Sequence, residues 1–340
     1  MAREFLRRNP AAEILFMGTP KGLESKIVPR EGFKLEMIQV GALKGKSAFQ
    51  KVKSLLAMPL SFLAAFGVVR RFKPDVVIGV GGYASGPVLL TAALMRIPTM
   101  LIEPNAMPGF TNRVLARFVD AAALSFQEAA PFFRGRSVVT GNPVRGDFGA
   151  LSRKAREAEL NVLAFGGSQG AHAINTAMVG AASALNKTGA KIRIVHQTGE
   201  KDFELVKAGY EQAGFNAADV RPFIHDMFKY FEQADVLICR SGATTVAEVA
   251  ASGKAAIFVP FPFATDDHQR KNAEAFEHAG AGRMILQKDL TPERLAGELI
   301  ELLEHPDEID RMELASQNLG KPDAAERAVD LALSVAKAAK

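Results

Sequence analysis

The sequence predicts an α/β protein with two doubly wound domains, each a parallel β-sheet covered by helices on both faces. Three observations support this prediction. Short apolar segments of about five residues alternate with helical stretches along the chain. The alternation comes in two series, separated by the polar stretch Leu151–Glu159. Each series also contains a glycine-rich turn between a predicted strand and a predicted helix.

The domain boundaries follow from this alternation. We predict a first domain over residues 1–150, a second over 151–323, and a C-terminal helix over 324–340 that packs back on the first domain. Ligands of open parallel sheets bind beyond the carboxyl ends of the strands. We therefore expect the active site in a cleft between the domains. The predicted strands are Glu13–Met17, Asp75–Gly79, Thr99–Ile102 and Val138–Thr140, then Asn161–Phe165, Ile192–Val195, Asp235–Cys239 and Ala256–Val259.

The composition is that of an ordinary globular protein, with 48% hydrophobic and 23% charged residues in a chain of 340. The net charge of +5 favours an anionic partner, which could be nucleic acid, a phosphorylated substrate or an acidic lipid surface. The single cysteine, Cys239, excludes an internal disulfide and is expected to be a core thiol in a reducing compartment. No apolar run opens the chain, so a cytoplasmic protein is predicted.

The sharpest motif lies in the second series, where Phe165-Gly-Gly-Ser-Gln-Gly170 joins a strand to a helix that begins near Ala171. Glycines let backbone amides approach a ligand closely, and a helix N-terminus offers unpaired N–H groups with partial positive charge. The motif therefore predicts a diphosphate site, to which Ser168 can add a hydroxyl donor. The alternative is a tight turn that binds nothing. No Gly-Lys-Ser/Thr follows, so this is not a Walker loop.

A second glycine loop, Gly79–Pro87, follows a strand of the first domain. Its spacing does not match the dinucleotide-binding fingerprint. Two phosphate-type loops in two domains nevertheless suggest a nucleotide donor on one side of the cleft and a phosphorylated acceptor on the other.

Three further features complete the predicted donor site. Arg145 follows a strand and a rigid turn, where its guanidinium can face a phosphate oxygen, although a surface arginine is the alternative. Ser241 is the expected N-cap of the helix that follows Arg240. Glu248 lies in the second turn of this helix and can accept hydrogen bonds from two ribose hydroxyls, although a solvated glutamate fits equally. The polar loop Pro260–Asn272 suits sugar hydroxyls but lacks the spacing of a metal site. Neither a metal nor a cofactor is predicted.

The segment between Glu36 and Asp75 contains basic residues but no acidic residue. They flank the apolar run Leu55–Phe66, which is interrupted by Pro59 and is too short to span a bilayer. Apolar residues flanked by basic ones are typical of a segment that lies on an anionic membrane surface. A core helix with basic ends is the alternative. Nucleic acid is disfavoured, because only two aromatic residues, Phe49 and Phe72, lie among the basic ones.

Together these segments resemble the MurG family, the undecaprenyldiphospho-muramoylpentapeptide β-N-acetylglucosaminyltransferases. The resemblance implies the two-domain GT-B glycosyltransferase fold, with UDP-GlcNAc held mainly by the second domain and the lipid-linked acceptor, lipid I, by the first. It implies inverting transfer of GlcNAc to the C4 hydroxyl of the acceptor's N-acetylmuramoyl sugar, which forms lipid II for peptidoglycan. It runs from about Glu4 to about Val329 and rests on Gly79–Pro87, Glu103–Arg113, Gly141–Arg145, Gly166–Ala171, His196–Gly199, Arg240–Glu248 and Asp266–Asn272.

The resemblance also implies roles for individual residues. The donor would be bound by Gly166, Gly167, Ser168, Gln169 and Arg145 at its diphosphate, Glu248 at the ribose, backbone near Ile224 at the uracil, and His268 and Gln269 at the sugar. The acceptor would be bound by Gly81, Gly82, Tyr83 and Ser85 at its diphosphate and by Asn105 at its sugars. The implied membrane face, docked peripherally on the cytoplasmic side of the inner membrane, includes Leu55, Met58, Leu60, Phe62 and Phe66. The implied partners are UDP-GlcNAc, lipid I and the anionic membrane surface, without nucleic acid.

Two departures from the family bear on catalysis. Many members read His-Glu-Gln-Asn where this chain has Ile102-Glu-Pro-Asn105. The family also opens with a strand and a Gly-Gly-Thr-Gly-Gly-His loop, which carries the histidine proposed as general base, whereas the printed sequence begins within the helix that follows. We expect an N-terminally truncated gene model. The candidates that remain for the proton transfer are Glu103 and His268, with Asn105 beside the acceptor hydroxyl.

Two rival functions stay open from the sequence. One is a UDP-GlcNAc 2-epimerase-like enzyme on the same fold, which would not need the basic, apolar docking segment. The other is an inactive nucleotide-sugar-binding scaffold, which would bind the donor without turnover. A nicotinamide-dependent dehydrogenase ranks third, because neither glycine loop has the required spacing.

Overall fold

Two units make up the chain: Met1–Pro143 together with Asp323–Lys340, called unit 1, and Val144–Pro322, called unit 2. The computed structural model describes residues 1–20, 22, 24–40, 48–144, 148, 151, 158–167 and 169–338, and at residues 48–58 and 83 it describes the backbone alone. Arg145 and Ser168 lie outside the described residues, and so do the side chains of Leu55, Met58 and Tyr83.

In its described residues, unit 1 contains two parallel sheets and six α-helices. One sheet pairs β1 with β2, and the other has the order β3-β4-β5-β6. Within the described ranges no strand joins β1 to β3. The strands are β1 (Leu15–Gly18), β2 (Lys34–Met37), β3 (Val77–Gly79), β4 (Thr99–Glu103), β5 (Ala121–Leu124) and β6 (Ser137–Val139); the helices are α1 (Ala2–Arg8), α2 (Glu24–Arg30), α3 (Ala48–Phe72), α4 (Gly82–Leu94), α5 (Phe110–Leu115) and α13 (Ala324–Ala338).

The C-terminal helix α13 covers one face of the β3–β6 sheet. Its small residues Ala328 and Ala332 are fully buried against Met100 and Ile102 of β4 and against β5. Alanine lets a helix approach a sheet closely, so these residues suit the contact. Arg8 of α1 then pairs with Asp330 on the outer side of α13, which ties the first helix of the chain to the last.

Unit 2 contains one six-stranded parallel sheet with the order β12-β11-β10-β7-β8-β9. This is the order of a doubly wound sheet, in which the first strand, β7, lies at the centre. The strands are β7 (Leu160–Phe165), β8 (Ile192–Gln197), β9 (Ala218–Arg221), β10 (Val236–Cys239), β11 (Ala255–Phe258) and β12 (Gly282–Met284); the helices are α6 (His172–Thr188), α7 (Phe203–Gln212), α8 (Met227–Gln233), α9 (Ala243–Ser252), α10 (His268–His278), α11 (Pro292–Glu304) and α12 (Pro306–Leu319).

In both units an aspartate just before one strand accepts hydrogen bonds from a residue of the neighbouring strand. Asp235, just before β10, accepts hydrogen bonds from the backbone N–H (2.8 Å) and side-chain amide (3.0 Å) of Asn161 in β7. Asp120, just before β5, likewise accepts from the backbone and hydroxyl of Thr99, both at 2.8 Å. A carboxylate that caps the neighbouring strand fixes the register at the amino ends, so the carboxyl ends also align. Those ends carry the glycine loops.

The structure corrects several sequence predictions. The strands β2, β5, β9 and β12 were not predicted. The strands β2, β9 and β12 are only partly buried and contain charged residues, and three of the four residues of β5 are alanines, which are uncommon in strands. Ser241 was expected to be the N-cap of the helix that follows β10, and this prediction is wrong. The N-cap of α9 is Gly242, and the Ser241 hydroxyl donates to the Gln269 carbonyl at 2.8 Å instead. Pro59, expected to interrupt its segment, lies inside the continuous helix α3.

No helix among the described residues is long and apolar enough to cross a membrane.

Candidate donor site in unit 2

The glycine loop after β7 is held by close backbone packing. Gly170 has a φ of +74°, and a Cβ at this position would lie 1.8 Å from the carbonyl oxygen of Thr198. Gly199, with a φ of +78°, faces the loop from the other side, where a Cβ would lie 2.4 Å from the Gln169 carbonyl oxygen. Side chains at these positions would separate the two loops, so both must be glycine. Gly170, the last glycine of the loop, is thus required for packing.

Helix α6 begins directly after this loop. Its N-cap, Ala171, provides no side-chain hydrogen bond, so the first N–H groups of a 17-residue helix are left without a side-chain acceptor. These groups carry the positive end of the helix dipole. Together with the exposed backbone of Gly167, they form a cradle that suits an anion.

Gln197, the last residue of β8, connects the glycine loop to a second segment. Its side-chain Nε2 donates to the Gly167 carbonyl at 3.0 Å, and its Oε1 accepts from the backbone N–H of Ile224 at 2.8 Å. Gln197 is 2% exposed; its bond to the Ile224 N–H is buried, whereas its bond to the exposed Gly167 is only partly buried. Gln197 therefore fixes the glycine loop relative to the segment expected to meet the uracil. It was not singled out by the sequence, because a glutamine at a strand end gives no signal of its own.

On the opposite face of β8, a buried polar network supports the same loops. His196 contacts the Tyr210 hydroxyl through Nδ1 (3.1 Å) and the Asn175 Oδ1 through Nε2 (3.0 Å). The Asn175 amide donates to the Thr198 carbonyl at 2.9 Å and to the Asp202 carboxylate at 2.8 Å. Burial lowers the pKa of His196 to about 3, so it stays neutral at physiological pH. A neutral ring between two polar partners satisfies this pocket without an added charge.

A cavity of about 570 Å³ opens at the glycine loop. Gly166, Gly167 and Gln269 line it, in agreement with their place in the predicted donor site. Six further lining residues lie in segments that the sequence analysis singled out without giving these residues a role, namely Gly170, Ala171, Arg240, Gly242, Thr245 and Phe261. The others lie outside those segments, namely His172, Ala173 and Gln287.

Arg240 supplies a half-buried positive charge to this cavity. Its Nη1 donates to the carbonyls of Val259 (3.0 Å) and Pro260 (3.1 Å), its Nη2 donates to Gln287 Oε1 (2.7 Å), and its guanidinium lies 5.4 Å from the Phe261 ring centre. Burial lowers the pKa of Arg240, which shows that its charge is poorly solvated. An anion in the cavity would therefore be attracted to it strongly. In the sequence, Arg240 is recognisable as an arginine that directly follows a strand of apolar residues.

The polar loop after β11 contributes Gln269. Its Oε1 accepts from the backbone N–H of Phe261 at 3.0 Å, which holds the Pro260–Phe263 turn against α10. His268 Nδ1 contacts the Thr265 carbonyl, so one ring nitrogen is already engaged. The cavity lining does not include Gln169, Ile224, Glu248 or His268. Glu248 lies half-buried on α9, and Gln197 links Ile224 to the lining residue Gly167.

In unit 1, the loop after β4 is organised by Glu103. This carboxylate is 1% exposed and accepts from the Asn105 backbone N–H (3.0 Å), the Asn105 amide (3.2 Å), the Gly109 N–H (3.2 Å) and the Asn112 amide (2.8 Å). Burial raises the pKa of Glu103, and these hydrogen bonds oppose the rise. Such a carboxylate is suited to orienting Asn105 rather than to reaching a substrate proton.

The first-unit glycine loop follows β3 and leads into α4. Gly81 (φ +85°) and Gly82 (φ +76°) both have left-handed backbones that favour glycine, and the Ser85 hydroxyl donates back to the Gly81 carbonyl. The loop therefore presents backbone amides at a helix start, as the sequence predicted for a phosphate contact.

Comparisons with known proteins identify the family. The glycosyltransferase family 28 N-terminal domain matches residues 1–124, and the C-terminal domain of the same family matches residues 161–328. A protein of Geotalea daltonii named UDP-N-acetylglucosamine--N-acetylmuramyl-(pentapeptide) pyrophosphoryl-undecaprenol N-acetylglucosamine transferase is 46% identical over 337 residues, which cover 97% of this chain and 91% of that protein. The crystal structure of Acinetobacter baumannii MurG superposes with a TM-score of 0.81 at 33% identity, covering 98% of this chain and 93% of that one. The chain belongs to the MurG family.

The two parallel-sheet units and the likeness to MurG fit the GT-B fold, as predicted. A UDP-GlcNAc 2-epimerase from Neisseria meningitidis, solved with UDP-GlcNAc bound, has a TM-score of 0.68 at 13% identity and covers 98% of this chain and 94% of that one. At that identity the likeness shows a shared fold alone. The epimerase alternative is therefore less well supported than membership of the MurG family.

Proposed function

We propose that this chain transfers GlcNAc from UDP-GlcNAc to the C4 hydroxyl of undecaprenyl-diphospho-N-acetylmuramoyl-pentapeptide, lipid I, and so forms lipid II for peptidoglycan. The observation that carries the proposal is the cavity of about 570 Å³ at the glycine loop of unit 2, with a helix N-terminus and Arg240 around it. Family membership supplies the substrates, because the relatives are named for this transfer.

The reaction is a single in-line displacement. The acceptor oxygen at C4 forms a bond to the anomeric carbon of GlcNAc, while the bond from that carbon to the UDP oxygen breaks and leaves its electron pair on the diphosphate. The hydroxyl proton passes to a base or to water. Because the charge develops on the leaving diphosphate, donors aimed at it lower the barrier. The glycine-loop amides, the α6 N-terminus and Arg240 can provide this stabilisation, so we propose a reaction without a metal or a cofactor.

The donor roles follow the order of the groups along unit 2. Gly166, Gly167 and Gln169 would hold the diphosphate, with Ser168 and Arg145 beside them. The ribose would be bound by Glu248 and the uracil by the backbone around Ile224. Because the Ile224 N–H already donates to Gln197, the uracil contact there would include neighbouring backbone groups. The GlcNAc hydroxyls would contact Gln269 and His268.

The acceptor would be bound by unit 1. Gly81, Gly82, Tyr83 and Ser85 would contact its diphosphate, and Asn105 its sugar near the C4 hydroxyl. Glu103 would hold Asn105 in place, since both Asn105 donors point to its carboxylate. Of the three residues first considered for catalysis, we therefore assign Glu103 a positioning role, Asn105 an acceptor contact, and His268 a donor-sugar contact.

Helix α3 supports peripheral docking on the cytoplasmic face of the membrane. Its inward side, represented by Ser61, Ala65 and Val69, is buried. Its outer side leaves large apolar side chains in solvent, with Leu60 68% exposed, Leu63 66% and Phe66 42%. Phe62 lies half-buried between the two sides, and Arg70 is exposed one turn beyond Phe66. An exposed apolar stripe next to basic residues fits an anionic lipid surface, which also carries the acceptor.

Incubation of the protein with UDP-GlcNAc and a lipid I analogue tests the proposal. We expect one UDP released for each β-linked GlcNAc added to the acceptor, with the anomeric configuration read by NMR. A Gly170→Ala variant should lose this activity, and a Leu314→Glu variant on the exposed side of α12 should keep it, since Leu314 is 60% exposed and far in sequence from the loops. Formation of a 2-epimer without a glycoside would favour the epimerase, and donor binding without turnover would favour the scaffold.

A further inference from the structure

His172 is a titratable side chain at the donor cavity that the proposed mechanism does not use. It is the first residue of α6, it lines the cavity beside Gly170, and its side chain is 71% exposed. Its Nδ1 lies 3.0 Å from an Asp202 oxygen. One ring nitrogen is thus engaged by a carboxylate, and the ring is held at the place where the glycine loop becomes a helix.

Asp202 determines which proton the ring carries. Burial opposes its ionisation, but hydrogen bonds from the Asn175 amide and from His172 prevail and lower the pKa of Asp202. At neutral pH it is therefore a carboxylate, which only accepts hydrogen bonds. Nδ1 must then be the protonated nitrogen of a neutral His172 ring. Nε2 of that neutral ring has no proton and cannot donate to a phosphate oxygen.

The charges near His172 differ between the Asp202 turn, which has more acidic than basic residues, and the cavity, whose lining includes Arg240. The turn that carries Asp202 also carries Glu200 and Lys201, and Arg240 lines the same cavity. The N-terminus of α6 adds its partial positive charge at the same place. An anion that replaces water here would stabilise a second proton on the ring, because Asp202 and the anion would lie on its two sides.

We propose that His172 binds a diphosphate oxygen of the nucleotide sugar through Nε2–H as an imidazolium, so that donor binding takes up a proton. This inference rests on the proposed function, since it assigns a residue and a protonation step to the same donor site. It predicts that UDP-GlcNAc binds more tightly at pH 6 than at pH 8, because histidine side chains change charge in this range.

Calorimetric titration with UDP-GlcNAc in the absence of acceptor tests the proposal. UDP-GlcNAc is the right probe, because its diphosphate is esterified at both ends, whereas a terminal phosphate titrates near pH 6 and would obscure the result. Repeating the titration at pH 7 in two buffers of different ionisation enthalpy measures the protons taken up. We expect uptake of a clear fraction of one proton by the wild type. The dissociation constant should rise at least fivefold from pH 6 to pH 8, which lies within the factor of about ten per pH unit that linkage to a single group allows.

Variants separate a charge effect from a packing effect. His172→Gln should take up no proton and bind with a pH-independent, weaker affinity, whereas His172→Lys should bind tightly and without pH dependence. His278→Gln is the matched control, because His278 is an exposed histidine at the C-terminal end of α10 and is not in the cavity lining. This variant should keep the wild-type pH dependence. Wild-type binding without proton uptake, or a His172→Gln variant with the wild-type pH dependence, would overturn this inference alone. Absence of UDP-GlcNAc binding at every pH would overturn the proposed function with it.

Discussion

Replacing Gln197 by leucine should weaken both the stability of unit 2 and its hold on the donor. The substitution removes two hydrogen bonds, one to the Gly167 carbonyl (3.0 Å) and one from the Ile224 N–H (2.8 Å). Ile224 is 4% exposed, so its N–H would be left without water, at a cost of about 1–3 kcal/mol. Gly167 is exposed and its carbonyl can bond to water instead. Loss of this second bond should therefore cost only the net value of one hydrogen bond, about 0.5–1.5 kcal/mol.

The two lost hydrogen bonds affect different measurements. Loss of the bond from the Ile224 N–H should lower the free energy of unfolding in both the free and the bound protein. Loss of the bond to the Gly167 carbonyl lets the glycine loop move, so donor binding must restore the position of the loop. This cost should raise the dissociation constant of UDP-GlcNAc by up to about tenfold, since 1.4 kcal/mol corresponds to a factor of ten. KM for the donor should rise by a similar factor with little change in kcat, because the loss affects ground state and transition state alike.

Tyr210→Phe is the matched control for this experiment. It removes one buried hydrogen bond, to His196, on the other face of the same strand, and it touches neither Gly167 nor Ile224. It should lower the melting temperature to a comparable extent and leave the donor dissociation constant unchanged. If Gln197→Leu loses stability but binds UDP-GlcNAc as the wild type does, then Gln197 does not position the loop and the reasoning fails.

Three further predictions follow from the same structure. Gly170→Ala should reduce UDP-GlcNAc affinity by more than a hundredfold in calorimetry, because the added Cβ lies 1.8 Å from the Thr198 carbonyl oxygen and the φ of +74° is unfavourable for alanine; near-wild-type affinity would contradict the packing account. Burial lowers the pKa of His196 from 6.5 to about 3, so the free energy of unfolding should fall as the pH drops from 6.5 toward 3, by at most about 1.4 kcal/mol per pH unit. In denaturant titrations His196→Gln should lack this part of the pH dependence, and an unchanged pH dependence would refute the account. The double variant Leu60→Glu/Leu63→Glu should lose at least tenfold in binding to anionic vesicles while keeping its melting temperature, whereas Leu314→Glu should bind vesicles as the wild type does; equal binding by all three proteins would exclude the α3 face.

The sequence was most informative where one residue type satisfies a local requirement. Gly166, Gly167 and Gly170 could be recognised because a strand, a close turn and a helix N-terminus follow one another in the chain, and the central strands β7 and β10 were recognisable as continuous apolar runs. The short strands β9 and β12 could not be recognised, because they lie at the edges of the sheet and their burial alternates or is partial.

Side-chain partners were the least predictable part of the site. Ser241 was expected to be an N-cap, but its hydroxyl donates a hydrogen bond to the Gln269 carbonyl, 28 positions away in the chain. Glu103 looked like a candidate base, but four donors brought together by the turn after β4 engage it. His172 and Gln197 gave no signal, because their partners, Asp202 and Ile224, are brought near them only by the parallel packing of β7, β8 and β9. Such contacts depend on strand order, which local sequence does not specify.

The end of β8 explains how one strand can support both parts of a nucleotide site. Consecutive strand residues point to opposite faces of a sheet, so His196 and Gln197 necessarily support different structures. His196 acts through Asn175 on the Thr198 carbonyl, the same atom that packs against Gly170, while Gln197 bonds directly to Gly167 and Ile224. The glycine loop is thus held at both of its ends by adjacent residues of a single strand. A displacement of β8 by a fraction of an ångström would therefore move the diphosphate cradle and the uracil segment together. The spacing between them is preserved because Gln197 bonds to both.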